Sequence, residues 1–141
     1  MSIEWKQTTD GVDWVELEAM YRAAPLGSKN AAQLAMAFGN SRFVLFAYDA
    51  GRLVGAGRAL ADGVDCAYLC DVALLPTHQG RGVGQALVER LLTQVRGHRK
   101  VILYSVPGKE SFYARFGFRR MKTAMGLFEH PEPLVAEGIV E

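Results

Sequence analysis

The chain has few of the features that mark disulfide-bonded or metal-binding proteins. It contains only two cysteines among 141 residues, and both Cys66 and Cys70 fall within one apolar, strand-like run. Four residues of extended strand separate two Cα atoms by roughly 13 Å, which is too far for a disulfide. A zinc site would need further ligands at suitable spacing, and the sequence offers none. We therefore expect two reduced thiols and no bound metal.

Long apolar runs are also missing. No stretch approaches the roughly 18 consecutive apolar residues of a bilayer-spanning helix, and residues 1–6 lack a signal-peptide core. We expect no membrane association and, by default, a cytoplasmic location. Half of the residues are hydrophobic and 22% are charged. This composition excludes a disordered chain and fits a single domain over residues 1–141, with a loosely held tail from about residue 130.

Acidic residues are scarce in one part of the chain. Between His78 and Lys122, only Glu89 and Glu110 oppose ten of the sixteen basic residues. Such an imbalance favours an anionic partner. A nucleic acid is one candidate, but neither interleaved aromatic residues nor a recognition motif accompanies the basic residues. We therefore expect no nucleic-acid binding.

Apolar periodicity and turn residues predict an alternation of strands and helices. Strands are predicted at 3–8, 42–48, 52–60, 67–74 and 101–106, with one or two more within 119–128. Helices are predicted at about 13–23, 30–38, 83–95 and 109–116, the first capped by Asp13. The resulting order is β-α-α-β-β-β-α-β-α-β-β. It predicts a mixed α/β sheet with helices on both faces.

The most informative segment is a glycine-dense turn that leads directly into an amphipathic helix. Gly80, Gly82 and Gly84 occupy alternate positions, and glycine lets the backbone approach a ligand because it has no Cβ. The first N–H groups of a helix have no partner within the helix, and the helix dipole is positive at that end. These properties suit a diphosphate. The alternative is an ordinary glycine-rich turn.

The spacing of this segment distinguishes between phosphate-binding loops. A Walker loop needs Lys-Ser or Lys-Thr after its last glycine, where this chain has Gln85 and Ala86. The Rossmann pattern Gly-x-Gly-x-x-Gly fails from both Gly80 and Gly82. Gln-x-x-Gly-x-Gly does fit, over residues 79–84. It resembles the coenzyme A loop of the GCN5-related N-acetyltransferases, the GNAT superfamily.

Two further segments and the order of elements extend this resemblance over almost the whole chain. The two segments are the strand at 68–74 and the pattern Phe-Tyr-x-x-x-Gly-Phe at 112–118. The resemblance implies a GNAT-like fold with six to seven mostly antiparallel strands, a splayed central pair and about four helices on both faces. It implies acetyl-CoA as cosubstrate, without a metal, and direct transfer of the acetyl group to the primary amine of a small molecule. The expected acetyl-CoA contacts are Val72, Ala73, Leu74, Gln79, Gly80, Arg81, Gly82, Val83, Gly84, Gln85 and Tyr113.

The resemblance also implies roles in catalysis. Tyr113 matches the tyrosine that protonates the departing thiolate, and a phenol with an ordinary pKa of about 10 suits a leaving group of similar basicity. Alternatively, it is only an aromatic residue of the helix core. The N–H groups of Val72 and Leu74 match those that bind the acetyl carbonyl and the pantetheine arm.

The general base is less clear, because Tyr68 occupies the position where some members have a glutamate. Asp71 is the only acid on this strand. It could accept the amine proton, directly or through water, or hold the ammonium group. It could equally be a structural carboxylate that bonds a neighbouring strand or loop. His78, next to the glycine loop, is expected to be a surface histidine.

The acceptor pocket is expected between the first two helices and near 124–128, with Leu26, Asp71 and Met125 as contacts. Its mostly apolar walls favour a small amine. Many members carry an asparagine where this chain has Val106, so Ser105 or Lys109 could replace that cofactor contact. Relatives often pair, and a homodimer is therefore expected. The alternative function is a non-catalytic acyl-CoA-binding sensor, which would not need Tyr113.

Overall fold

The computed structural model describes residues 2–141 as two compact units, one that ends at Leu103 and one from Tyr104 to Glu141. The first unit contains the strands β1 (Ile3–Lys6), β2 (Phe43–Asp49), β3 (Arg52–Ala61), β4 (Cys66–Leu74) and β5 (Lys100–Ile102). It also contains the helices α1 (Trp14–Ala23), α2 (Ala31–Gly39) and α3 (Val83–Gln94), with a 3-10 turn at Pro76–His78 before α3. The second unit contains α4 (Glu110–Ala114) and α5 (Pro131–Ala136). The single-domain assignment stays a prediction.

The five strands form one sheet in the order β1-β2-β3-β4-β5. The strands β1 to β4 form three antiparallel pairs, and β5 runs parallel to β4. Ala50 and Gly51 connect β2 to β3 with φ values of +49° and +78°, the backbone that a two-residue hairpin turn requires. The predicted mixed sheet is confirmed, although it has five strands rather than six or seven.

The pairing of β4 with β5 is short, because β5 has only three residues. Their pairing covers only the register from Cys66 with Lys100 to Tyr68 with Ile102. On its other edge, β4 pairs with β3 as far as Leu74. The edge of β4 that faces β5 is therefore without a strand partner beyond Tyr68, among the residues that the structure describes. The resemblance implied a splayed central pair at this place, and the structure has an open edge of β4 there, with β5 as the edge strand of the sheet.

Helices pack on both faces of the sheet, as predicted. Phe46 of β2 stacks on Phe38 of α2, with ring centroids 5.2 Å apart. Its neighbour Leu45 points to the opposite face and lies opposite Gly57 of β3. On that face, a Cβ at Gly57 would lie 2.7 Å from Leu91 of α3. The glycine therefore lets α3 approach the sheet closely.

The second unit differs from the sequence prediction in two ways. No strand forms between residues 104 and 141, so the strands predicted within 119–128 are wrong. A strand needs a neighbour for its backbone groups, and this stretch has none within its own unit. In addition, α5 forms at Pro131–Ala136, a helix that the sequence did not predict; the loosely held tail from about residue 130 stays a prediction. The end of α5 is fixed by the Ile139 N–H, which donates to the Leu134 carbonyl at 2.9 Å.

Candidate active site

The glycine loop presents backbone N–H groups at the start of α3. Gly80 and Gly82 have φ values of +77° and +82°, and Gly82 is the N-cap residue of the helix. The first helical hydrogen bond runs from the Ala86 N–H to the Gly82 carbonyl at 3.1 Å. No side chain caps this helix end. Residues 80–82 are exposed, so an anion has access to these amides.

A buried histidine holds the chain just before this loop. His78 is only 7% exposed, so the expectation of a surface histidine is wrong. Its Nε2 lies 2.8 Å from an Asp49 carboxylate oxygen, and its Nδ1 lies 2.8 Å from the Thr77 hydroxyl. The 3-10 turn that begins at Pro76 turns residue 78 inward, toward the end of β2. This pair therefore ties the base of the loop to the sheet.

The open edge of β4 leads into the loop. The Leu75 N–H donates to the Val54 carbonyl of β3 at 2.8 Å, so the backbone groups of residue 75 point toward β3. Because these directions alternate along a regular strand, the N–H group of Leu74 points to the open edge, whereas that of Ala73 points to β3. Between the pairs Ala56–Ala73 and Arg58–Cys70, β4 has one residue more than β3, so the direction of the Val72 N–H stays a prediction. The Gln79 side chain donates to the Leu74 carbonyl at 3.2 Å. It thus connects the loop to this edge.

A strained residue interrupts β4 at the middle of this edge. Asp71 has a φ of +54°, which is rare for a residue with a Cβ, and the register between β3 and β4 shifts here. The Tyr21 hydroxyl donates to the Asp71 carbonyl at 2.6 Å. The Arg58 Nε donates to the Asp71 carboxylate at 2.8 Å, and the Lys29 Nζ lies 3.3 Å from the same oxygen. These contacts fit the alternative in which Asp71 is a structural carboxylate. Its role as the general base stays a prediction.

The sequence analysis missed the three partners of Asp71, which are Tyr21, Lys29 and Arg58. One signal was present in the sequence, because Arg58 stands alone in an otherwise apolar run. A buried arginine needs an anionic partner, and Asp71 was the only acid on the adjacent strand. The other two partners lie on or near α1 and have no comparable pattern in the sequence.

Burial determines the protonation of two further groups in this cluster. It raises the pKa of the Tyr21 phenol well above its ordinary value, and the neighbouring Asp71 adds to the shift. Burial also raises the pKa of the Cys70 thiol. A thiol that stays protonated is a weak nucleophile. The chain therefore offers no activated cysteine at this place, and both cysteines are free.

A shallow surface depression, without enclosed space for a water molecule, lies beside the carboxylate of Asp71, and we call it the cleft. It is lined by Tyr21, Leu26, Lys29, Leu34 and Asp71. The structure thus brings together Leu26 and Asp71, two of the three predicted acceptor contacts. Met125, the third, lies in the second unit, where its side chain is 99% exposed.

Tyr113 lies on the short helix α4 of the second unit. Its ring packs edge-on against Phe112 and Phe118, with centroids 5.2 and 5.9 Å away. Burial raises the pKa of the Tyr113 phenol above its ordinary value of 10.0. The phenol therefore keeps its proton throughout the neutral range. Val106 and Lys109 precede this helix, and both are exposed.

Residues 2–141 contain neither a cluster of metal-ligating side chains nor a helix that could span a membrane. No group of three or more histidine, cysteine or acidic side chains is arranged to hold a metal ion in this part of the chain. None of its helices combines the length and the apolar character needed to cross a bilayer.

Known proteins share both the sequence pattern and this fold. The profile described as "Acetyltransferase (GNAT) family" matches residues 6–118. GCN5-related N-acetyltransferase 1, chloroplastic, of Arabidopsis thaliana is 32% identical over 117 residues, which cover 80% of this chain and 59% of that protein. Glucosamine 6-phosphate N-acetyltransferase 1 of Oryza sativa subsp. japonica is 35% identical over 102 residues, which cover 65% of this chain and 62% of that protein.

A solved structure shows the same fold. A GNAT family acetyltransferase from Streptococcus pneumoniae superposes with a TM-score of 0.77 at 24% identity, covering 93% of this chain and 99% of that one. The chain spans less than two thirds of the length of the curated relatives named above. Because the family profile covers most of its residues, the chain belongs to the GNAT family of acetyltransferases.

Proposed function

We propose that the protein is an acetyl-CoA-dependent N-acetyltransferase that acts on the primary amine of a small molecule. One observation supports this most strongly, namely that the uncapped start of α3 and the open edge of β4 are joined through Gln79. The first presents amides to a diphosphate, and the second presents amides to an extended chain. Coenzyme A has both parts in one molecule.

Acetyl-CoA would lie along the loop and the strand edge. The amides around Gly80, Gly82 and Gly84 would bind the diphosphate, with Arg81 adding positive charge. The Leu74 N–H would bind the pantetheine arm, and the Val72 N–H would donate to the acetyl carbonyl. This oxygen gains negative charge as the amine attacks, so a fixed donor stabilises the transition state more than the ground state.

The reaction would form a C–N bond and break the C–S bond of the thioester. A neutral amine attacks the acetyl carbon, and the electron pair of the broken bond leaves on sulfur. In the proposal, the Tyr113 phenol donates its proton to this thiolate. Its raised pKa keeps the phenol in the acid form in the neutral range, and it also makes the phenol a weaker acid than an ordinary tyrosine.

The proton of the attacking amine needs a separate acceptor. Asp71 is the predicted base, and its position in the cleft supports a role near the acceptor. Arg58 and Lys29 already hold its carboxylate, so direct proton removal would require one cation to move. We therefore favour loss of the amine proton to water. Asp71 would then maintain the irregular backbone of β4 and orient the acceptor.

Release of coenzyme A thiol from acetyl-CoA, in the presence of a panel of amines, tests the proposal. Wild type is expected to release thiol with at least one amine. Tyr113→Phe should lower kcat by about 10²–10⁴-fold, the usual contribution of a general acid, without changing the affinity for CoA. Tyr48→Phe is the matched control, since it removes a half-buried phenol of β2 outside the proposed site.

Three results would contradict parts of this proposal. Equal turnover by Tyr113→Phe would remove the tyrosine from the mechanism. Binding of CoA without turnover of any amine would favour the acyl-CoA-binding sensor. A protein that neither binds CoA nor releases thiol would overturn the assignment altogether. The homodimer and the cytoplasmic location stay predictions.

A further inference from the structure

The charges around the acceptor cleft indicate a narrower class of acceptor. We propose that the preferred acceptors are amines that also carry an anionic oxygen group, a carboxylate or a phosphate, and that Lys29 binds this group. The inference rests on the proposed function. The inference goes beyond that function because it assigns Lys29 as the residue that determines acceptor specificity.

The ion cluster around Asp71, beside the cleft, has one more cation than anions. Two cations, Arg58 and Lys29, face the single carboxylate of Asp71. The carboxylate nearest to the start of α2, that of Glu18, accepts the Ala31 N–H and pairs with Arg22. The Glu18 carboxylate is therefore already neutralised. One of the two cations that face Asp71 has no anion of its own.

The geometry identifies Lys29 as this surplus charge. The Arg58 Nε lies 2.8 Å from Asp71, and the arginine also donates to the Ser41 hydroxyl. Its side chain is only 12% exposed, so it is a fixed, satisfied partner. Lys29 lies 3.3 to 3.4 Å from the two Asp71 oxygens and is 36% exposed. It is held more loosely than Arg58, and its side chain is flexible.

An anionic ligand could therefore form an ion pair with Lys29 without leaving a buried charge unpaired. Asp71 would keep Arg58, and the ammonium group of Lys29 would turn toward the ligand. Lys29 immediately precedes Asn30, the N-cap residue of α2, so the positive end of this helix dipole lies beside it. Asp71, which lines the cleft, is followed in the chain by Val72, where the acetyl carbonyl is proposed to bind. An anion on Lys29 would place a neighbouring amine near that carbon.

Matched pairs of acceptors test this inference through kcat/KM for thiol release. Phenylalanine is compared with phenethylamine for the carboxylate, and glucosamine 6-phosphate with glucosamine for the phosphate. In wild type, at least one anionic member should exceed its neutral partner. Lys29→Gln should lower kcat/KM for that anionic member about tenfold, the effect of one charged hydrogen bond. The neutral partner should lose much less, so that the ratio of the two kcat/KM values falls about tenfold, and circular dichroism checks that the variant is folded.

Lys6→Gln is the control, because Lys6 contacts the Tyr48 ring and the Asp10 carbonyl rather than the cleft. It should leave both members of each pair unchanged. Equal losses for anionic and neutral acceptors in Lys29→Gln would overturn the inference, as would a wild type that prefers neutral amines. In either case turnover of neutral amines would leave the proposed function standing. Absence of thiol release with every amine would overturn both.

Discussion

At the residue scale, left-handed backbone conformations occur at two places around the proposed cofactor site, and one of them is strained. Gly80 and Gly82 adopt left-handed conformations that glycine tolerates without cost. Asp71 adopts one that does cost energy, on the order of 1–3 kcal/mol. Tyr21 and Arg58 hold it there through its carbonyl and its carboxylate. The strain bends β4 at the point where its edge opens, next to the Val72 amide.

Substitution of Gly82 by valine should weaken CoA binding for two reasons. The side chain disfavours a φ of +82° by roughly 1–2 kcal/mol, and its methyl groups would occupy the space proposed for the phosphates. We expect at least a tenfold rise in Kd for CoA by calorimetry.

A variant at a second glycine, Gly97, separates the cost in backbone conformation from the obstruction of the phosphates. Gly97 lies just beyond the opposite end of α3, has a φ of +101° and has no neighbour within 4 Å of a Cβ position, like Gly82. Gly97→Val should therefore lose similar stability but retain the CoA affinity of wild type. If both variants bind CoA as wild type does, the loop assignment fails.

At the scale of single elements, the helix ends follow from local sequence. Asp13 accepts the Val15 and Glu16 N–H groups at 3.0 and 3.1 Å, as its position before α1 predicted. Asn30 caps α2 in a reciprocal arrangement with Gln33. Caps of this kind depend on residues two to three positions apart, which is why the sequence alone could locate these helices.

The cap of α1 gives a prediction for stability. Asp13→Ala should lower the free energy of unfolding by about 1 kcal/mol, because two N–H groups lose their acceptor. Urea denaturation followed by circular dichroism would measure this change. Asp10→Ala is the control, since it removes the same charge from a residue whose side chain caps no helix. An equal loss in both variants would show that charge, rather than capping, is responsible.

Other elements depended on contacts between distant parts of the chain and were predicted less well. The inward position of His78 requires Asp49, which lies 29 residues earlier. The ion pair of Arg58 with Asp71 spans two strands. The segment 119–128 has the apolar residues of a strand but no partner in its unit. A periodic pattern reports which residues prefer burial, whereas pairing partners are determined by the fold.

At the scale of the whole molecule, the sequence predicted the order of strands and helices in the first unit, and the resemblance implied a splayed strand pair where β4 has an open edge. The loop pattern at 79–84 also led to the family that the profile match later confirmed. The acceptor cleft was predicted only in part. Leu26 and Asp71 were expected there, but its net charge depends on Lys29 and Arg58, which come from separate elements.

The central claim is that amides of the glycine loop and of the β4 edge bind acetyl-CoA. Titration of the ¹⁵N-labelled protein with acetyl-CoA, followed by amide NMR, tests it most directly. The account predicts that the largest shift changes occur at residues 80–84 and at Val72 and Leu74. It would be contradicted if these amides stayed unchanged at saturation while others moved, or if millimolar acetyl-CoA moved none.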